Sequence, residues 1–168
     1  MGDSDDGADD GAAGAALREA LLRLGATLAT AESLTGGVLA QLVSAPPGAS
    51  ETYLGGVVSY ATAVKVRVLG VSERTVAEHG VVSDQCAREM AEGVRRLLGA
   101  DWGVSTTGVA GPTTQDGKPV GTVFLAVAGP GGTTCVERHF EGSRAQVRDR
   151  AAAAAARLVL RRAVGAGR

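Results

Sequence analysis

The sequence has little cysteine, few aromatic residues and no long apolar run, and each shortage excludes a class of protein. Two cysteines, Cys86 and Cys135, are too few for a disulfide scaffold, and they lack the spacing of metal ligands. An aromatic content of 3% argues against a protein that stacks nucleic-acid bases on aromatic side chains. No apolar stretch approaches the roughly 18 residues that a transmembrane helix needs. We therefore predict a cytoplasmic protein that binds no membrane and no nucleic acid and needs no metal or other cofactor.

What is present indicates one globular domain. The chain has 168 residues, of which 45% are apolar and 21% charged, so it is long enough to bury a core and too apolar to be largely disordered. Its net charge of −1 is unevenly distributed. Residues 1–16 contain five aspartates and no basic residue, whereas the remainder has 17 basic and 13 acidic residues, a net charge of +4. We predict a disordered acidic tail at 1–16 and a single domain at 17–168.

Strand-like and helix-like patterns alternate along most of the chain. Strands are predicted at 26–31, 54–60, 102–107, 120–128 and 133–140. Helices are predicted at 17–24, 38–45, 72–78, 84–98 and from 144 onward. Only the last two strands follow each other directly, through a Gly-rich turn. This order predicts a three-layer α/β/α sandwich whose sheet is mostly parallel, with one late antiparallel hairpin.

Residues 62–69 (TAVKVRVL) fit two patterns. Val64, Val66 and Val68 alternate as in a strand, but the first and last of these valines also have the i, i+4 spacing of a helix. Because Thr62 can start a helix and Gly70 can end one, we predict a helix here.

Three segments rich in glycine or hydroxyl groups lie at the carboxyl ends of predicted strands: residues 32–37 (ESLTGG), 59–60 (SY) with the residues after them, and 106–112 (TTGVAGP). In open α/β sheets, ligands bind outside the carboxyl ends of the strands. Glycine lets the backbone approach a ligand closely, and free N–H groups at a helix start favour anions. We expect these segments to bind substrate through Thr35, Gly36, Gly37, Thr107 and Gly108.

Ser33 is the candidate nucleophile, because it lies in a strand-to-helix turn just before helix N–H groups that could stabilise an oxyanion. The alternative is that Ser33 and Thr35 only cap the helix that follows. Capping is the ordinary use of these residues, and the residues alone favour it.

A serine nucleophile needs a base, and Lys65 is a better candidate than either histidine, since His79 ends a short helix and His139 lies in a late strand. A solvated lysine has a pKa of about 10.4. Burial among the neighbouring valines would lower that pKa. The chain has only two lysines against fifteen arginines, yet an exposed helical Lys65 stays open as the alternative.

Other candidates have an ordinary structural alternative as well. Tyr60 ends the second predicted strand and can line a pocket or belong to the core. Arg144 and Arg148 lie one helical turn apart, after Ser143 as a helix cap, and can bind a phosphate or form a solvated helix face.

Six stretches in order carry a resemblance to a known family. They are TAESLTGG (30–37), GGVVSYATAVKVRVLGV (55–71), HGVVSDQCAREMAEGV (79–94), STTGVAGPT (105–113), GKPVGTVFLAV (117–127) and FEGSRAQVR (140–148). Through them, residues 17–162 resemble the C-terminal domain of the CinA family, which includes stand-alone nicotinamide-nucleotide amidases of the PncC type.

The resemblance implies a hydrolase that converts nicotinamide mononucleotide to nicotinic acid mononucleotide and ammonia in pyridine-nucleotide recycling. The family's proposed catalytic serine and lysine correspond to Ser33 and Lys65, and its active-site tyrosine corresponds to Tyr60. On this hypothesis Lys65 takes the proton of Ser33, backbone N–H groups at residues 35–37 hold the oxyanion, and either Lys65 or Tyr60 returns a proton to the departing ammonia. Thr107 and Gly108, with Arg144 or Arg148 or both, would receive the ribose and phosphate of this small-molecule nucleotide.

Two departures from the family pattern and two rival functions accompany this hypothesis. Thr62 stands where the family pattern SNxxK has asparagine, and the N-terminal nucleotide-processing domain of longer CinA proteins is absent, so no pyrophosphatase activity is expected. One rival is a non-catalytic partner-binding module linked to competence or DNA damage, and the other is hydrolysis of a related small amide. The retained serine, tyrosine and lysine favour an enzyme, and a charge of +4 is a weak footprint for DNA. The Ala-rich helices leave a homo-oligomer open.

Overall fold

A computed structural model describes residues 10–166 of the chain. The strands are β1 (Leu28–Glu32), β2 (Tyr53–Val58), β3 (Trp102–Gly108), β4 (Thr122–Gly129) and β5 (Gly132–His139). The helices are α1 (Asp10–Leu24), α2 (Val38–Ser44), α3 (Thr62–Arg67), α4 (Glu73–His79), α5 (Asp84–Leu98) and α6 (Arg144–Ala166), with a short 3₁₀ turn at Ala49–Glu51. The ends of each predicted strand lie within two residues of the ends of an observed strand. The ambiguous segment at 62–69 is helical as predicted, but the helix ends at Arg67.

The strands form one mixed sheet in the order β2-β1-β3-β4-β5. The pairs β1–β2 and β1–β3 are parallel, whereas β3–β4 and β4–β5 are antiparallel. The prediction of a mostly parallel sheet therefore fits only loosely. The reason lies in residues 109–121, which contain no helix, and a parallel return normally requires a helical crossover.

Helices cover both faces of the sheet, which confirms the three-layer α/β/α architecture. On one face, α1, α2 and α6 pack together, and α6 also contacts β3 and β4. On the other face, α5 packs across all five strands, and α4 packs against α5. Each face has its own apolar core, one centred on α6 and the other on α5.

Small residues allow these layers to approach closely. The buried face of α6 is largely alanine, and a Cβ at Gly103 of β3 would overlap the backbone oxygen of Ala91 in α5. Ser143 and Gln146 cap α6 reciprocally, because each side chain accepts the other residue's backbone N–H, so the predicted Ser143 cap is confirmed. Although α6 is 23 residues long, none of the helices in residues 10–166 is both long and apolar enough to cross a membrane.

The boundary of the predicted acidic tail is wrong, because α1 begins at Asp10 rather than at residue 17. Residues 12–16 are mostly alanine, the strongest helix former. Gly14 is buried where its missing side chain lets α1 approach the backbone of Leu42 in α2, so tertiary packing extends the helix. Residues 1–9, also assigned to the tail, lie outside the described residues.

Candidate active site

A cavity of about 350 Å³ lies at the carboxyl ends of the three parallel strands. Small-molecule sites span about 300–1,000 Å³, so a single small ligand fits. Six predicted site residues line this cavity: Ser33, Tyr60, Lys65, Thr107, Gly108 and Arg144. The other four, Thr35, Gly36, Gly37 and Arg148, do not line it.

Ser33 and Lys65 are in direct contact, although 32 residues separate them in sequence. The Lys65 Nζ lies 2.8 Å from Ser33 Oγ and also donates a hydrogen bond to the Ser59 carbonyl at 2.7 Å. Ser33 follows the last residue of β1, and Lys65 extends from α3, which begins four residues after β2 ends. Because β1 and β2 are parallel neighbours, these two connections meet at one edge of the sheet.

The Lys65 side chain is buried, with 1% of its surface exposed. Burial lowers the pKa of Lys65 below its ordinary value of 10.5, while the Asp116 carboxylate, and Cys86 in its thiolate form, act in the opposite direction. Burial also raises the pKa of Cys86, to about 11, so this thiol is neutral at pH 7. Lys65 makes no salt bridge with any residue in the described part of the chain, so no carboxylate contacts its amine directly.

The predicted source of this burial is only partly correct. Val64 and Val66 are half-buried, but Val68 is 43% exposed. The position of α3 over the strand ends, near Cys86 of α5, buries the amine instead.

A buried carboxylate, that of Glu32, organises the turn that carries Ser33. One oxygen accepts hydrogen bonds from the Thr35 hydroxyl at 2.6 Å and from the backbone N–H groups of Gly37 and Leu39 at 3.2 and 2.8 Å. The other oxygen accepts the N–H of Ala40 at 3.0 Å. Glu32 therefore satisfies the first turn of α2, where a negative charge also interacts favourably with the helix dipole.

The backbone of Glu32 supports the lysine as well. Its carbonyl accepts hydrogen bonds from the Ser59 N–H at 2.7 Å and from the Ser59 hydroxyl at 3.2 Å. These bonds fix the Ser59 peptide, whose own carbonyl binds Lys65. One residue thus holds the supports of both members of the Ser33–Lys65 pair.

One prediction about this turn is wrong, and another is contradicted in part. Thr35 does not cap α2, because its buried hydroxyl bonds to Glu32 and to the Thr106 hydroxyl, and Gly37 is the N-cap residue. Of the N–H groups predicted to hold an oxyanion, those of Gly36 and Gly37 donate to the Ser33 carbonyl and to Glu32, whereas that of Thr35 has no acceptor among residues 10–166. The Leu34 N–H also has no acceptor among residues 10–166, and Leu34 lines the cavity.

Tyr60 and Arg144 form one side of the cavity mouth. The Tyr60 ring is 58% exposed, and its hydroxyl accepts a hydrogen bond from Arg144 at 2.6 Å. Arg144 also donates to the Gly111 carbonyl, which leaves three of its five N–H donors available to a ligand. The Tyr60 hydroxyl therefore contacts Arg144 at the rim of the cavity rather than the Ser33–Lys65 pair.

Arg148 does not line the cavity but binds the backbone of the turn that carries Ser33. Its guanidinium donates to the carbonyls of Leu34 and Thr35, both at 3.0 Å. The two arginines predicted as alternatives for phosphate binding are therefore separated: Arg144 lines the cavity, and Arg148 binds the turn.

The remaining predicted residues form the opposite wall. The Thr107 hydroxyl donates to the Val81 carbonyl at 2.6 Å, so it fixes the wall, whereas Gly108 leaves no room for a Cβ beside Thr122. Thr62, which replaces the family's asparagine, also lines the cavity. Within residues 10–166, no group of three or more His, Cys, Asp or Glu side chains is arranged to hold a metal ion.

Three residues that organise the site carry no predicted role: Glu32, Ser59 and Asp116. For Glu32, an available signal was a single acidic residue at the end of an otherwise uncharged, small-residue strand, since a buried carboxylate must be paired with donors. No local pattern signals the roles of Ser59 and Asp116, because Ser59 binds the carbonyl of Glu32 and Asp116 binds Val81, and both partners are distant in sequence.

The fold and this pair define a class of protein: a three-layer α/β/α domain with a serine hydroxyl against a buried lysine at the edge of the sheet. The family model of the CinA C-terminal domain matches residues 12–163. A "CinA-like protein" of Frankia casuarinae is 48% identical over 95% of this chain and 36% of its own length. A second, from an Anaeromyxobacter species, is 53% identical over 80% of this chain and 33% of its own length.

Solved structures of CinA proteins are similar to this chain in fold and in sequence. A CinA superfamily protein of Klebsiella pneumoniae has a TM-score of 0.90 and 33% identity, and the match covers 94% of this chain and 99% of that one. The competence damage-inducible protein A of the same species has a TM-score of 0.88 and 35% identity over 91% and 96% of the two chains. The chain belongs to the CinA C-terminal domain family. It spans about a third of the length of the Frankia and Anaeromyxobacter relatives.

Proposed function

We propose that this chain hydrolyses the carboxamide of nicotinamide mononucleotide, with Ser33 as nucleophile and Lys65 as general base. The observation that carries the proposal is the 2.8 Å contact between Ser33 Oγ and the Nζ of a buried lysine. Nucleophilic catalysis by serine requires such a base within hydrogen-bonding reach. The family resemblance supplies the substrate, and the cavity size and Arg144 agree with a small anionic ligand.

The chemistry needs a proton acceptor that becomes a donor. Neutral Lys65 takes the hydroxyl proton as Ser33 Oγ attacks the carboxamide carbon, and the Leu34 N–H stabilises the oxygen that becomes negative. When the tetrahedral intermediate collapses, the carbon–nitrogen bond breaks, and Lys65 returns its proton to the departing ammonia. A water molecule, deprotonated by Lys65, then attacks the serine ester. The ester bond breaks as Lys65 returns this proton to Ser33 Oγ, and the acid product is released and ionises to the carboxylate.

Arg144 supplies the charge that would recognise the phosphate. We expect Arg144→Met to raise the KM for nicotinamide mononucleotide about tenfold or more, because a charge-assisted hydrogen bond is worth about 1.5–3 kcal/mol. The KM for nicotinamide riboside, which lacks the phosphate, should change little. Steady-state kinetics on both substrates measures the effect, and equal changes for both would contradict it. Arg74→Met, on the exposed side of α4, is the matched control.

The lowered pKa of Lys65 predicts a pH dependence. As the pH falls through that pKa, Lys65 becomes protonated, so kcat/KM should decline along an acid limb whose midpoint lies below 10.5. The free energy of unfolding should also depend on the titration of Lys65. Between the folded pKa and 10.5 the unfolded chain binds more protons than the folded chain, so the free energy of unfolding rises with pH across this window.

Urea unfolding of the wild type and of Lys65→Met at several pH values measures this contribution. We expect the rise attributable to Lys65 to be absent from the variant. Identical slopes of stability against pH in both proteins would show that the pKa of Lys65 is not lowered on folding.

Ammonia release from nicotinamide mononucleotide, with free nicotinamide as the control substrate, tests the proposed function directly. We expect release from the nucleotide and little from the free base, because only the nucleotide carries a phosphate for Arg144. No release from either compound by folded protein would overturn the proposal. Release from both at similar rates would retain an amidase but contradict the nucleotide as its substrate.

A further inference from the structure

Asp116 lies outside the Ser33–Lys65 pair, yet its side chain connects two walls of the cavity. It belongs to the loop at residues 109–118, which runs from β3 towards β4. One carboxylate oxygen accepts the backbone N–H groups of Val81 and Val82, at 2.8 and 3.1 Å. Both valines line the cavity from the connection between α4 and α5.

The 109–118 loop contributes much of the facing wall. Val109, Ala110, Gly111, Thr113, Thr114 and Gln115 from this loop line the cavity. Around Asp116 itself, the backbone of Gln115 and Lys118 forms a tight turn, with the Lys118 N–H donating to the Gln115 carbonyl at 2.8 Å. The hydrogen bonds of Asp116 therefore attach the end of this wall to the segment opposite.

Two local features show that the position is built around this side chain. Asp116 has a φ of 52°, in the left-handed region that few residues other than glycine, asparagine and aspartate adopt. A Cβ at Gly80 would lie 2.7 Å from the Asp116 carboxylate oxygen, so the absence of a side chain at Gly80 makes room for it.

We propose that Asp116 is a positioning residue that holds the 109–118 loop against Val81 and Val82 and so shapes the substrate-binding cavity. The inference rests on the proposed function for its kinetic consequence. Without the carboxylate, the loop loses its attachment to the facing wall, and the free protein must order the loop again whenever substrate binds. The hydrogen bond between Ser33 and Lys65 involves neither the loop nor Asp116. The Asp116 charge does raise the pKa of Lys65, so the kinetic comparison is made between two variants that both lack this charge.

Three substitutions separate the hydrogen bonds from the backbone conformation. Asp116→Gly tolerates the positive φ and removes the acceptor, whereas Asp116→Ala removes the acceptor and adds backbone strain. Asp116→Asn keeps a carbonyl acceptor and tolerates the same φ, which makes it the matched control. We expect Asp116→Gly to raise the KM for nicotinamide mononucleotide about tenfold, with a kcat equal to that of Asp116→Asn, which lacks the same charge. Asp116→Asn should restore the KM, and Asp116→Ala should also lose stability.

Amide hydrogen exchange supplies a readout that does not depend on activity. The Val81 and Val82 N–H groups should lose protection in Asp116→Gly and keep it in Asp116→Asn. Unchanged protection in the glycine variant, or lost protection without a rise in KM, would overturn the inference. If folded wild-type protein hydrolyses no nicotinamide mononucleotide, the proposed function fails, and the exchange of these two amides still decides whether Asp116 holds the loop.

Discussion

Replacing Lys65 by methionine is expected to lower kcat/KM for amide hydrolysis about 10³-fold, within the range that a general base contributes. Methionine has a similar length and is apolar, so it suits a site that is 1% exposed, but it cannot take the Ser33 proton. Ser33→Ala should abolish ammonia release, because the attacking oxygen is absent. Ammonia release by each folded variant measures both effects.

The two substitutions should not be additive if the residues act as a unit. The double variant is expected to be no less active than Ser33→Ala, since a base without its nucleophile contributes nothing. Lys118→Met is the matched control, because Lys118 is the chain's other lysine and lies over the Phe124 ring, 5.8 Å from its centroid. An active Ser33→Ala variant would refute the covalent mechanism. Activity retained in Lys65→Arg would exclude Lys65 as the base, because arginine stays protonated.

Replacing Glu32 by glutamine is expected to destabilise the fold by about 3 kcal/mol, since an amide nitrogen in place of a carboxylate oxygen leaves buried donors unpaired. Three backbone N–H groups and the Thr35 hydroxyl bond to this carboxylate, and a glutamine side chain offers them only one acceptor oxygen. The negative charge at the start of α2 is lost as well. Urea unfolding gives the change in the free energy of unfolding.

Glu19→Gln is the matched control, because it makes the same chemical change in an exposed i, i+4 pair with Arg23. Such pairs contribute about 0.3–0.5 kcal/mol, so this variant should remain close to the wild type. Equal effects of the two substitutions would show that the buried network contributes no more than a surface charge. A Glu32→Gln variant that keeps both its stability and its activity would remove Glu32 from the organisation of the site.

Much of the fold could be predicted because the signals for its elements are local. Gly99 and the Ser83 cap bound α5, and both appear in the sequence as ordinary helix-end residues. The helix at 62–67 was predicted from Thr62 and Gly70 in spite of its alternating valines. The antiparallel direction of β4 was harder to predict from the sequence, because it depends on how the 109–121 connection crosses the sheet rather than on any residue within the strand.

The candidate site also contains residues that could be predicted from the sequence and residues whose roles could not. Ser33, Tyr60, Lys65 and Arg144 could be named in advance, because each lies in a segment that follows a strand or begins a helix at the expected edge of the sheet. The roles of Gly36 and Gly37 could not be predicted, because their N–H groups donate hydrogen bonds within the turn that Glu32 organises. The different positions of Arg144 and Arg148 could not be predicted from the sequence either. The two residues are one helical turn apart, yet Arg144 lines the cavity and Arg148 binds the backbone of the turn that carries Ser33.

By itself, the sequence determined the order of strands and helices, the family resemblance and the shortages that argue against a transmembrane helix and a disulfide scaffold. These properties depend on periodicity, composition and motifs, all of which are read over short windows. Only the tertiary structure decided that Lys65 is buried against Ser33, that Glu32 supports both, and that Asp116 joins the cavity walls. Hydrogen bonds and desolvation depend on which distant segments meet, and that is settled by how the helices pack on the sheet.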